Sequence, residues 1–338
     1  MTTQDGPTRR AFRTGLLGWA QNSVAPLLVG AILAGSVLGL TAPKAGASLS
    51  AGVDSTLLVM IFLLFFELHL KGLARGLGNL RFLALAWSAN FLILPAIGFA
   101  LASLMLGHEP LFFAGLMIYF LAPCTDWFLG FTRMARGDTA LGAALIPINL
   151  LSQLLLFPLW LWLFTRHTGL VEFAAIPGIL AQWFVLPLLV AQALRMGLQA
   201  LLPGQVFARL LGWAGQFVPL AIALLILQIF AANVGLIAEH LRVFALILLA
   251  LFLFFTAVFF VGEGLSRLAR LGYPQHALLT MTMAARNAPL MLAVTAAAIP
   301  DQPLILAALV IGMLIEIPHL AMLKHLLLAR RVHTLDAR

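Results

Sequence analysis

YFLAPCTDWFLGF, residues 119–131, sets a proline, the only cysteine of the chain and an aspartate inside an otherwise apolar run. In lipid, every backbone N–H and C=O must find its partner within the protein. Pro123 has no N–H and clashes with the turn before it, so a helix running through this stretch opens and releases carbonyls. The segment therefore reads as a discontinuous transmembrane helix, and the break itself becomes a candidate site.

The rest of the chain supplies the membrane setting. Of 338 residues, 62% are apolar and 9% are charged, far from the roughly 25% charged residues of soluble domains. A helix needs about 20 mostly apolar residues to cross the hydrocarbon. On that ruler the sequence predicts an all-α polytopic membrane protein with ten transmembrane helices, at 23–42, 52–70, 81–106, 111–134, 139–164, 173–196, 208–232, 241–262, 275–298 and 303–326. A β-barrel would instead show short segments of alternating polarity. The basic start, MTTQDGPTRRAFRTG, precedes an apolar run longer than the 7–15-residue core of a cleaved signal peptide, so the first span is expected to be retained.

Lysine and arginine set the direction. With the N-terminus inside, the outer loops carry only Lys44, Arg166 and Arg242, and Arg286 lies within a span. The remaining sixteen of the 20 basic residues then fall on inner loops and tails. This bias predicts a multi-pass protein of the cell membrane with both termini cytoplasmic. The net charge of +8 is thus a topology signal and gives no reason to expect nucleic acid. Charged linkers such as KGLARGLGNLR, 71–81, read as turns. A lone cysteine excludes a disulfide framework, the eight histidines make no metal spacing, and no cofactor is expected. No HExxH, GxSxG or Walker loop points to an enzyme.

A second interruption, MTMAARNAPLMLAV at 281–294, answers the first. Sliding the chain by 163 residues puts Ala122-Pro123-Cys124 on Ala285-Arg286-Asn287, Asp138 on Asp301 and Gln153 on Glu316. Both interruptions fall in the fourth span of a five-span half. Five is odd, so the second half enters the membrane upside down, giving a 5+5 inverted repeat of 23–165 and 166–328, with cytoplasmic tails 1–22 and 329–338. Paired broken helices in inverted halves point to a transporter's midplane site. Pro123 and Pro289 are expected to open their helices, and the two broken helices to cross and satisfy each other.

Charged side chains inside the membrane are costly and mark function. Arg286 is expected to face a cavity, an anion or freed carbonyls, with Asp126 as its natural partner across the crossing. A guanidinium there could also be a fixed positive charge where another transporter binds sodium. Asp126 and Glu316 are the candidate proton carriers. Cys124, Thr125, Asn149, Arg286 and Asn287 are the candidate solute contacts. Asn149 and Gln153, one turn apart, are expected to share a cavity or to bond between helices.

APCTDWFLGFTRMARGD, answered by AARNAPLMLA, resembles the bile acid/sodium symporter superfamily, and within it the arsenical-resistance branch related to the arsenite efflux permeases. The resemblance implies a core of spans 3–5 and 8–10 moving against a panel of spans 1, 2, 6 and 7. Sodium-coupled members have ligating side chains where this chain has Phe128, Leu129, Gly142 and Ile146. At the second break they carry a glutamate and a glutamine-asparagine pair, against Thr282, Arg286 and Asn287 here, so sodium coupling is not expected. Cys124 matches the cysteine of arsenite permeases, while the acid those proteins carry beyond the second break is absent at Ala288, Pro289 and Leu290. The expected function is secondary transport, as efflux of arsenite or a related metalloid in exchange for protons. The alternative is transport of a small organic anion, with Arg286 as its clamp.

Overall fold

The computed structural model describes residues 7–67, 79–125, 127–165, 178, 181–299 and 302–336, and they are overwhelmingly helical. In order these are α1 Pro7–Thr41, α2 Pro43–Ser50, α3 Val53–Glu67, α4 Leu80–Ser88, a π-helical turn Ala89–Ile93 and α5 Leu94–Leu106. Next come α6 Pro110–Leu121, α7 Trp127–Met134, α8 Thr139–Thr165, a second π turn Ala181–Val185 and α9 Leu186–Leu201. The chain ends with α10 Gly204–Glu239, α11 Leu241–Leu268, α12 Tyr273–Ala284, α13 Ala288–Ala298 and α14 Pro303–Asp336.

Six helical runs among the described residues are long and apolar enough to cross a bilayer, and the bent pair α2–α3, angled at 49°, makes a seventh. The remaining expected spans fall short for physical reasons. The fourth and ninth are each cut into two short helices, and the sixth begins in residues mostly outside those described. Helix also extends beyond the apolar runs. Among the described residues it runs from Pro7, and the last helix is still helical at Asp336, with no glycine or proline after Pro318 to stop it. The stretches expected as tails are therefore largely helical.

The helices pack in two groups. In one, α1 and α2 lie against α10, which also packs on α3, and α3 on α9. In the other, α6 touches α5, α8 and α14, α11 touches α5 and α12, α7 touches α12, and α13 touches α14. The groups meet where α14 and α13 touch α10, α1 and α3. Large apolar side chains such as Leu33, Leu104, Phe252 and Phe260 cover the outside, as a lipid-facing surface requires.

Close approach in the first group rests on glycine. A Cβ on Gly35 would come within 2.6 Å of the Leu227 carbonyl oxygen, and one on Gly39 within 2.5 Å of that of Ala231. Residues four apart on one helix share a face, so this GxxxG pair lets two backbones touch. Gly39→Leu is expected to destabilise the purified protein by about 1–3 kcal/mol through overpacking. Gly30→Leu, whose Cβ meets nothing within 4 Å, is the control, and thermal unfolding in detergent compares them. Equal melting temperatures for the two variants would contradict the close packing.

Candidate functional site

The two interruptions meet. α6 stops at Leu121, and Ala122 is extended, as the residue before a proline prefers to be. α12 stops at Ala284, and Ala285 is likewise extended. The two exposed backbones run antiparallel, with Pro123 opposite Arg286. The Cys124 N–H donates to the Ala285 carbonyl at 3.2 Å and the Asn287 N–H to the Ala122 carbonyl at 2.8 Å. Pro123 occupies the position in this pairing that needs no N–H. Pro289 behaves differently from expectation: the break lies at 285–287, before it, and Pro289 sits in the first turn of α13, where its missing N–H costs nothing.

Arg286 is completely buried. Its Nη1 donates to the Phe120 carbonyl at 3.1 Å. Nη2 reaches the Met283 carbonyl at 2.7 Å, the Thr282 carbonyl at 3.2 Å and Asn90 Oδ1 at 3.1 Å. Phe120, Thr282 and Met283 belong to the last turns of α6 and α12, where carbonyls lack intrahelical partners and carry the negative end of the helix dipole. One guanidinium thus caps both broken helices. Asn90, which sequence reasoning missed, lies in the π turn and also donates to Thr282 Oγ1 at 3.2 Å. The available signal was an amide in the middle of an apolar span, the kind of residue that bonds between helices. The other expected partner of Arg286, Asp126, lies outside the described residues.

Glu316 is brought to the same place. Its Oε1 accepts the Arg286 backbone N–H at 2.9 Å, and Oε2 accepts the Tyr119 hydroxyl at 3.2 Å. The carboxylate therefore joins α14 to both breaks. It also lines a cavity of about 20 Å³ between Trp127, Pro289 and Glu316 on one side and Val24, Leu28 and Ile222, of α1 and α10, on the other. That is room for about one water-sized molecule, at the seam between the two helix groups.

The remaining expected residues surround the first break. Cys124 is fully buried, and its carbonyl accepts Asn149 Nδ2 at 3.4 Å. Thr125 Oγ1 accepts Asn287 Nδ2 at 3.2 Å, which ties one break to the other. Gln153 Nε2 is 3.6 Å from Met291 Sδ. The amide oxygens Asn149 Oδ1 and Gln153 Oε1 are buried and accept no hydrogen bond among the described residues. The two amides therefore offer free acceptors one turn apart. Phe128, Leu129 and Gly142 cluster: a Cβ on Gly142 would lie 2.9 Å from Leu129 Cδ1 and 3.7 Å from Phe128 Cε2. Apolar packing occupies those positions.

Known proteins resemble this chain in sequence. A family model described as "Sodium Bile acid symporter family" matches residues 55–240. The chain is 28% identical over 254 residues to "Arsenical-resistance protein Acr3" of Corynebacterium glutamicum, covering 71% of this chain and 68% of that protein. With a family match over more than half its length and apolar helices suited to repeated crossing, the chain belongs to the sodium bile acid symporter family, as a multi-pass membrane transporter and not an enzyme.

Proposed function

We propose that the chain exports arsenite, or a closely related uncharged metalloid hydroxide, across the cell membrane in exchange for protons. The observation that carries this reading is the position of Glu316. A buried carboxylate that accepts from Tyr119 and from the Arg286 backbone, at the wall of the seam cavity, links proton uptake to the geometry of both breaks. Proton binding converts an acceptor-only carboxylate into a group with one donor, so the protonated oxygen gains a hydrogen that needs an acceptor of its own and the bonding between the two breaks changes. The similarity to Acr3 supports the solute. Cys124, at the first break, is the soft donor for arsenic: its S–H and an As–OH give an S–As bond and water, and hydrolysis reverses the step.

In this reading the ten spans form two inverted halves, with both termini cytoplasmic. The antiparallel Pro123–Arg286 pairing, in the register of the 163-residue slide, supports the inversion. The first helix group is the panel and the second the core, and alternation is their relative motion along the seam. Sodium is not the coupling ion, because the Arg286 guanidinium already satisfies the carbonyl ends that a cation would need. Asp126 is a second proton carrier beside the substrate. A small organic anion fits less well, since both Nη groups of Arg286 are committed to protein oxygens.

The test is uptake of arsenite by everted vesicles under an imposed proton gradient. Wild type is expected to accumulate arsenite equally with sodium or choline as the bulk cation, and Cys124→Ser to fall to the level of vesicles lacking the protein. Sodium-dependent uptake, or uptake of a small carboxylate in place of arsenite, would overturn the proposal.

A further inference from the structure

A second concavity, of about 560 Å³, lies between α4 and the end of α11. Its wall is amphipathic. Arg81, Arg270 and Gln275 lie beside Leu85, Leu265 and Leu268, and Leu268 is 81% exposed. Among the described residues the lining contains no acidic residue. Neighbouring basic residues at this end are engaged: Arg267 and Arg330 both pair with Glu263, and Arg331 lies over the Tyr273 ring. Arg81 and Arg270 make no ion pair among the described residues. The N-terminus of α4 is not what attracts charge here, because the Asn79 side chain already accepts the Phe82 N–H.

Arg270 is held there against local preference. The Leu271 N–H donates to the Ser266 carbonyl at 2.9 Å and the Arg270 N–H to that of Arg267 at 3.1 Å, closing α11 with a Schellman turn. Its left-handed position, φ 53°, is one that glycine normally fills. An arginine stands there instead, beside a second arginine and above apolar side chains facing outward.

We propose that this groove binds an anionic phospholipid, with Arg81 and Arg270 on the headgroup phosphate and Leu85, Leu265 and Leu268 along the first part of an acyl chain. The occupant is a lipid and not free phosphate, because the groove's apolar half, with Leu268 81% exposed, belongs to two helices apolar enough to span a bilayer. Basic pockets between helices at a membrane face recognise such headgroups by charge. Expected to read as a simple turn, the end of the 71–81 linker thus supplies a ligand at Arg81.

The experiment is native mass spectrometry of the full chain released from detergent micelles supplemented with phosphatidylglycerol or phosphatidylcholine, with thermal unfolding in the same mixtures. Wild type is expected to retain phosphatidylglycerol selectively and to melt higher in its presence. The double variant Arg81→Gln/Arg270→Gly is expected to retain it about 30-fold less, at the usual contribution of a basic residue near an anionic surface. Glycine suits the left-handed position, so this variant folds. Arg81→Gln alone is the milder probe. Equal retention of phosphatidylcholine, an unchanged preference in the double variant, or reproduction of the thermal shift by inorganic phosphate alone would each overturn the proposal.

Discussion

Arg286→Met is expected to cost the folded protein about 3–5 kcal/mol, the usual penalty for removing one partner from a buried charged network. The reason lies in what remains behind. The Phe120, Thr282 and Met283 carbonyls and Asn90 Oδ1 would lose their buried donor. Some buried ion pairs can be exchanged for apolar residues without loss, because both partners are replaced together. Backbone carbonyls cannot be replaced, so that escape is closed here. Arg286→Lys should recover only part of the loss, since a compact ammonium cannot fork across two helix ends as a planar guanidinium does. Thermal unfolding in detergent measures both variants. A methionine variant as stable as wild type would mean that the carbonyls find other donors and that the arginine is not what holds the breaks together. The same oxygens bear on coupling. If the guanidinium stands in for a bound cation, Arg286→Gln should gain thermal stability from sodium chloride over choline chloride, whereas wild type should not.

The parts of this centre that sequence revealed are those fixed by local chemistry. Proline lacks an N–H wherever it sits, so the break around Pro123 could be located from a single apolar run, and the second from the arginine and proline at 286 and 289. The 163-residue slide even put Pro123 on Arg286, the pair that faces across the crossing. Partner choice was not local. The oxygens around Arg286 come from α6, α12 and the π turn at Asn90, and only the rotation of each helix decides which of them meet. Sequence reading named freed carbonyls and Asp126 as candidate partners; which carbonyls meet the guanidinium needed the fold, and Asp126 lies outside the described residues. Glu316 posed the same problem, since its hydroxyl partner Tyr119 lies 197 residues away. Length alone would not have found the breaks in the fourth and ninth segments: a ruler of apolar length passes over a break, and it was the residues at 123, 286 and 289 that marked them. The GxxxG pair Gly35 and Gly39 was passed over in the sequence, because its role depends on α10 lying across it.

Glu316→Gln is expected to abolish proton-driven arsenite uptake, down to vesicles without the protein, while leaving the fold nearly intact. An amide has almost the shape of a carboxylate, and its oxygen can still accept the Arg286 N–H while its nitrogen donates to the Tyr119 oxygen, which the hydroxyl can allow by turning. Local hydrogen bonding is conserved, so stability should change by about 1 kcal/mol. What disappears is the ability to take up and release a proton between the two breaks. Counterflow separates this from simple damage: exchange of labelled for unlabelled arsenite at equal pH needs binding and alternation but no net proton movement, and should survive. Loss of counterflow together with driven uptake would assign Glu316 to solute binding or to structure. Driven uptake that persists in Glu316→Gln but vanishes in Asp126→Asn would move the proton to Asp126. Persistence in both single variants and in the double variant would remove these acids from coupling altogether. Since Glu316 touches Tyr119 of the first break, the Arg286 backbone of the second and the seam cavity at once, it is, on the proposed reading, the group at which a change of charge most directly alters how the crossed helices meet the other helix group.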